Sequence, residues 1–274
     1  MTRPSQSGRA AHGIGATERL AFTGGTGAQL AGALHVPDTT PRGSVLLAHC
    51  FTCSKDLQIS TRLARSLTAA GYAVLRFDFT GVGDSGGDFA DKTVTNNVKD
   101  LAAAAHALIR RGYGPCAMVG HSLGGAATLL AAHHVKTVRS VAVIGAPASP
   151  GHIERLIADA RPDILRHGTA TVVIGGRALP ISTVFLDDLE VHDQTGQVAA
   201  LERPLLIVHA VDDEVVQVAE GERIFAAARQ PKAFMPLFGA DHLVSDPDRG
   251  AAVGGGHRRV ARRHPVTTCP GSPA

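Results

Sequence analysis

The stretch CAMVGHSLGGAATLL, residues 116–130, decides the fold. Its first half, CAMVGH, is a short apolar run of the kind that forms a buried strand. Its second half, SLGGAATLL, is rich in the helix formers Ala and Leu. No separate loop lies between them, so the chain must turn straight from strand to helix at Gly120-His121-Ser122-Leu123-Gly124. That sequence fits G-x-S-x-G, in which a serine is presented at a sharp strand-to-helix turn. Such a turn is crowded, and Gly120, Gly124 and Gly125 supply the small residues it needs. In a chain with 31 glycines the pattern alone means little. Its place at a strand–helix junction gives it weight.

Working outward, strands and helices alternate. RLAF (19–22) and QLAGALHV (29–36) form an antiparallel pair across the turn TGGTGA. SVLLAH (44–49), YAVLRFDF (72–79), SVAVIGAP (140–147), PLLIVHA (204–210) and AFMPLF (233–238) are further strands. Helices are expected over 56–71, with Ile59, Leu63 and Leu67 on one face, over 91–111, with Val94, Val98, Leu101, Ala105, Leu108 and Ile109, and near 215–229. This alternation implies an α/β domain with a mostly parallel central sheet and helices on both faces. Residues 148–203 break the rhythm with a helix at 153–160, a hairpin around Gly175-Gly176 and short polar helices. They form an insertion, not a second domain. The folded domain spans 18–248. Residues 1–17 read as a flexible N-terminus and 249–274 as a disordered tail rich in Arg, Gly and Pro.

The 274 residues carry a net charge of +3, but five of the 27 basic residues lie in 249–263 with no acid beyond Asp248. The domain up to Asp248 therefore holds 22 basic against 24 acidic residues, which excludes a basic nucleic-acid-binding face. No apolar run is long enough for a membrane span, and the N-terminus lacks a signal-peptide core. Four cysteines in so long a chain are not a disulfide framework, so a cytoplasmic, reducing setting is expected.

A serine hydroxyl needs a general base, and the base needs an orienting acid. The candidates are Asp212-Asp213, just after the strand 204–210, and Asp241-His242, just after the strand 233–238. Each sits where the carboxyl ends of a parallel sheet converge. Two other motifs compete for attention. Gly81-Val82-Gly83-Asp84-Ser85-Gly86 fits a dinucleotide-binding pattern with Asp100 further on, yet no helix opens directly after it, and a tight turn is the better account. Cys50-x-x-Cys53 suggests a dithiol, but no second cysteine pair completes a zinc site.

With these residues in view the chain resembles the α/β-hydrolases over 18–248. GHSLGG resembles the nucleophile elbow, HAVDDEVV the acid turn, and GADHL the histidine loop. AHCFTCSKD, RFDFTGVGDSGGDF, GHSLGGAA and IGAPA together are similar to the hydrolase half of bacterial proteins in which it is fused to an OsmC-like domain. This chain shows no such partner, although association with one is implied. The resemblance implies catalytic Ser122, Asp213 (with Asp212 its substitute) and His242, with the backbone N–H groups of Phe51 and Leu123 as oxyanion donors. It implies hydrolysis of an ester or related acyl bond in a small-molecule substrate, with no metal and no organic cofactor. The insertion becomes a small cap whose Leu156, Ile157, Ile164, Leu165, Leu179, Ile181, Val184 and Phe185 line an apolar acyl pocket. His49, Cys50, Cys53, His121 and Asp212 are pocket candidates, the cysteines as small wall residues. His133 and His134 read as partly exposed, and His152 and His192 as solvated. The family's closing C-terminal helix is expected to be missing, which would loosen His242. The rival classes are a thiol or redox protein using Cys50 and Cys53, and a catalytically silent binding protein of the same fold.

Overall fold

The computed structural model describes residues 15–174 and 176–246. Its centre is an eight-stranded sheet built from β1 (Thr17–Thr23), β2 (Gln29–His35), β3 (Ser44–Ala48), β4 (Ala73–Phe77), β5 (Pro115–His121), β6 (Ser140–Ile144), β9 (Leu205–Ala210) and β10 (Lys232–Leu237). The spatial order is β1-β2-β4-β3-β5-β6-β9-β10. Only β1 and β2 run antiparallel to their neighbours; β4 through β10 are parallel. All parallel strands therefore end on one edge, and each loop leaving that edge can contribute to a common site.

The central strands are mostly apolar because both faces are covered. Every residue of β3, β5, β6 and β9 is buried. Alternation sorts their side chains: Leu46, Met118, Val141 and Ile207 join one core cluster, while Val45, Val119, Ala142 and Val208 join the other. Helix α1 (Gln58–Thr68) buries Ile59, Leu63 and Leu67 in the second cluster. Helix α2 (Val94–Arg110) starts where Thr93 accepts a hydrogen bond from the Asn96 amide, 3.0 Å. It is shorter than the expected 91–111 because residues 89–91 form a separate 3₁₀ turn. Its inner face holds Leu101, Ala105 and Leu108, whereas Ile109, one step round the helix, is 41% exposed. Helix α3 (Leu123–Ala131) follows β5 with only Ser122 between them.

The insertion between β6 and β9 departs from expectation. In place of one helix over 153–160 there are 3₁₀ turns at Pro150–Leu156 and Ala158–Ala160, then α4 (Arg161–His167). The reason is Pro162, which has no N–H and is tolerated only in the first turn of a helix, so the helix starts beside it. The hairpin is as expected: β7 (Thr169–Ile174) pairs with β8 (Arg177–Ser182), closing Ile174 against Arg177. Helices α5 (Thr183–Glu190) and α6 (Gln194–Ala199) complete the insertion, and α7 (Val218–Ala227) lies between β9 and β10. A third apolar cluster welds the insertion to the sheet's carboxyl edge. It joins Ile153, Ile157, Ile164, Val172, Ile181 and Phe185 to Phe51, Leu123, Ala126 and Leu130. Of the expected pocket wall, Ile157, Ile164, Leu179, Ile181 and Phe185 are buried, but Leu156, Leu165 and Val184 are 41%, 54% and 62% exposed.

Most of the expected flexible N-terminus, the expected tail at 249–274 and the missing closing helix lie outside the described residues. Thr17, placed in the flexible segment by sequence, pairs with His35 in β1. Among the described residues no helix is long and apolar enough to cross a membrane.

Candidate active site

Ser122 stands between β5 and α3 with φ 54° and ψ −128°. That left-handed backbone is strained for a residue with a side chain, and such strain collects at functional turns. Its surroundings explain the glycines. A Cβ on Gly120 would meet Thr128 Oγ1 and the Gly125 Cα, one on Gly124 would run into the His49 carbonyl, and one on Gly125 would lie 2.7 Å from Ala146 Cβ. The Ser122 amide donates to Ile144 O at 2.9 Å, pinning the elbow to the end of β6.

Asp213, not Asp212, faces inward. Asp213 is 5% exposed, and its Oδ1 accepts from the Val215 and Val216 amides at 2.9 and 2.8 Å. Its Oδ2 accepts from His242 Nδ1 at 2.7 Å. Burial alone would raise the Asp213 pKa, but the His242 hydrogen bond and charge, with the two amides, outweigh it and hold the carboxyl below its usual range. Gly145, at φ 54°, leaves room for the imidazole: a Cβ there would stand 3.3 Å from His242 Cε1 and Nδ1. The structure thus brings Asp213 and His242 together beside the elbow. It does not join Ser122 to His242, since the serine hydroxyl makes no hydrogen bond among the described residues and His242 bonds through Nδ1.

The histidine loop is held firmly as far as it is described. The Ser245 amide and hydroxyl both donate to the Asp241 carboxylate at 2.7 Å, and Arg62 donates to Ser245 O at 2.7 Å. Val244 is 1% exposed and sits at φ 48°, rare for a β-branched residue. His121, a pocket candidate by sequence, is instead a tether. It is 3% exposed and its Nε2–H donates to the His242 carbonyl at 2.9 Å. Burial, then the neighbouring His242, lowers its pKa to about 3, so it stays neutral.

The loop after β3 carries Phe51, whose amide, like that of Leu123, finds no acceptor among the described residues. His49, a pocket candidate by sequence, lies in this loop and is 2% exposed. Its Nδ1–H donates to Cys50 O at 2.7 Å and its Nε2 accepts from the Phe79 amide at 3.3 Å. Cys50 and Cys53 are not separate wall thiols but a disulfide-bridged pair, with Cα atoms 5.2 Å apart across the turn that contains Phe51. From the hairpin tip, Arg177 Nη1 donates to Thr52 O at 2.6 Å.

Sequence reasoning missed what holds this loop. Lys55 donates to Asp78 through its amide (2.6 Å) and its Nζ (2.8 Å), and Nζ also reaches Asp84 at 2.6 Å. Burial opposes the ammonium, but Asp78 and Asp84 outweigh it and raise the Lys55 pKa. One glycine of GVGDSG serves this carboxylate, because Asp78 occupies the space a Gly83 side chain would need. No helix opens there, and Asp100 is 0% exposed, accepting from the Gly25 and Thr80 amides at 2.9 Å each. His209 was also missed: 0% exposed, it donates to Val216 O at 2.8 Å behind the acid turn. His152 and His192 are not solvated. His152 Nε2 bonds Val215 O at 3.1 Å, and His192 bonds Asp188 at 3.3 Å.

This architecture has relatives. Over residues 39–172 the chain matches the family model for serine aminopeptidase, S33. The crystal structure of the esterase domain of a Rhodothermus marinus protein superposes with a TM-score of 0.73 and is 39% identical, covering 90% of this chain and 98% of that one. The chain belongs to the α/β-hydrolase superfamily. Among curated proteins, a lysophosphatidylserine lipase (ABHD12) of Danio rerio is 31% identical over 180 residues, 63% of this chain but only 44% of that protein. A monoacylglycerol lipase of Mycolicibacterium smegmatis is 26% identical over 235 residues, 74% of this chain and 81% of the relative. This α/β-hydrolase thus stands among esterases and lipases.

Proposed function

We propose that this α/β-hydrolase cleaves carboxylic esters through Ser122, His242 and Asp213. The observation that carries this is the 2.7 Å Asp213–His242 pair held beside a serine at φ 54°. Asp213 fixes the imidazole with its Nδ1 proton inward, which leaves Nε2 free to take the Ser122 proton. The contact between the serine hydroxyl and Nε2 is one that in unliganded hydrolases is often not yet formed. Attack on the acyl carbonyl places the oxyanion against the Phe51 and Leu123 N–H groups, each worth about 2.7–4 kcal/mol. His242 then protonates the leaving alcohol, and water repeats the cycle on the acyl-enzyme. The insertion acts as a cap over this site, and its buried Ile157, Ile181 and Phe185 favour an apolar acyl group. The named activities of the two lipases make monoacylglycerols sensible first substrates.

A fluorophosphonate probe tests the nucleophile, and p-nitrophenyl esters of graded chain length, with monoacylglycerols, test the substrate class. Wild type should label and turn over esters, while Ser122→Ala should do neither. Equal labelling of the two would remove Ser122 from the mechanism.

A further inference from the structure

Lys92 lies between the 3₁₀ turn at 89–91 and α2, and it is 2% exposed. Among the described residues its Nζ has no hydrogen-bond partner. It sits among three rings instead, 5.5 Å from the centroid of Phe51, 5.2 Å from Phe79 and 5.6 Å from Phe89. These rings come from three segments: the loop after β3, the loop after β4 and the turn before α2. Phe51 also contacts Phe89 at 5.4 Å and stacks on Phe185 of the insertion at 5.0 Å. The charged groups around Lys92 are Asp100 on α2 and Asp78 after β4, which attract it, and Arg177 on the hairpin, which opposes it. Neutral His49 lies in the loop after β3.

An ammonium removed from water without an acceptor is costly. An apolar side chain of similar length would fill the same space without that cost. What it would not supply is attraction toward the ring faces. We propose that Lys92 is a positioning residue of the oxyanion loop, its ammonium drawing the Phe51 ring inward against Phe79 and Phe89 and so fixing the Phe51 N–H. This rests on the ester-hydrolase function above, because only there does that N–H meet an oxyanion. Lys92 acts through Phe51 and does not touch the substrate.

The experiment uses the full chain, with Lys92→Met to keep length without charge and Lys92→Arg to restore charge. Turnover of p-nitrophenyl butyrate is followed from pH 5.5 to 9, with fluorophosphonate labelling of Ser122 alongside. Lys92→Met should lower kcat about ten-fold or more, the scale expected when a catalytic group is displaced by part of an ångström, with KM little changed. Lys92→Arg should recover most of the loss. Burial lowers the Lys92 pKa to about 7, so wild-type kcat should decline at alkaline pH as the ammonium is lost, and Lys92→Met should lack that decline. Phe51→Leu, which keeps the amide but not the ring, should cause a similar loss that does not add to that of Lys92→Met. If Lys92→Met folds poorly, Phe51→Leu alone serves, with the same fall in kcat and the same loss of the alkaline decline. Wild-type kcat and an unchanged pH profile in Lys92→Met, or additive losses in the double variant, would overturn the positioning role while leaving the ester-hydrolase function intact. A wild type that neither labels nor turns over esters would sink both.

Discussion

Gly124→Ala is the most direct test of how the elbow and the oxyanion loop are fitted together. Gly124 lies in the first turn of α3 at an ordinary helical φ, so alanine suits the backbone and should favour the helix by about 1 kcal/mol. The difficulty is space. A Cβ there would lie 2.9 Å from the His49 carbonyl carbon and 3.1 Å from that of Ala48, and closer still to the His49 oxygen. Ordinary carbon–carbon contact is about 3.5–4.0 Å, so backbone must retreat by about 1 Å. The segment that retreats leads within two residues to Phe51. A displacement of about 1 Å can cost 100-fold in rate, and full loss of one oxyanion donor costs about 10²–10³ in kcat. Gly124→Ala should therefore lower kcat by about 10²-fold with KM changed little, measured by steady-state ester hydrolysis. Gly114→Ala is the control, since a Cβ there meets nothing nearer than 3.4 Å. If Gly124→Ala turned over within about three-fold of wild type while folded, the coupling of elbow to oxyanion loop would be wrong, because a shift of this size should cost far more.

Asp213→Asn should lower kcat by about 10⁴-fold, whereas exposed Asp212→Asn should stay close to wild type; parallel kinetics on the two decide which carboxylate orients His242. Because the folded Asp213 carboxyl is held below its ordinary 3.8, its stabilising contribution is present above that pH and lost as pH falls through the folded value. Urea unfolding should show the gap between wild type and Asp213→Asn narrowing below pH 4. Lys92 runs the other way. Its pKa falls from 10.5 unfolded to about 7 folded, so from pH 7 upward to 10.5 the unfolded chain binds the extra proton and wild-type stability rises with pH. At about 1.4 kcal/mol per ten-fold in proton affinity, burying the charged form costs of the order of 5 kcal/mol at pH 6. Lys92→Met should thus be more stable than wild type at pH 6, with the gap closing toward pH 10; a less stable variant at pH 6 would contradict this.

That Ser122, Asp213 and His242 would gather at one edge of the sheet was legible in the sequence because each follows a short apolar strand, and strand ends in a parallel sheet converge. Local pattern and topology were sufficient there. The rest depended on partners far along the chain. His152 and His192 looked like loop residues until Val215 and Asp188 appeared beside them. Lys55 had no visible reason to be buried before β4 brought Asp78 to it. Lys92 drew no attention because three phenylalanines from separate segments surround it only after folding. Within the insertion, short segments carry too few turns for periodicity to separate buried Ile164 from exposed Leu165, and Pro162 moved the helix start.

The hydrogen bond from Arg177 to Thr52 O ties the tip of the hairpin to the turn that carries Phe51. Under the proposed mechanism, whatever wedges beneath the hairpin would pull on the same few atoms that are to meet the developing negative charge. A poorly fitting acyl chain would be held almost as well as a good one yet processed slowly. Selectivity in this enzyme should then appear in turnover rather than affinity, and exchanging the insertion for that of a relative would change rate as well as preference.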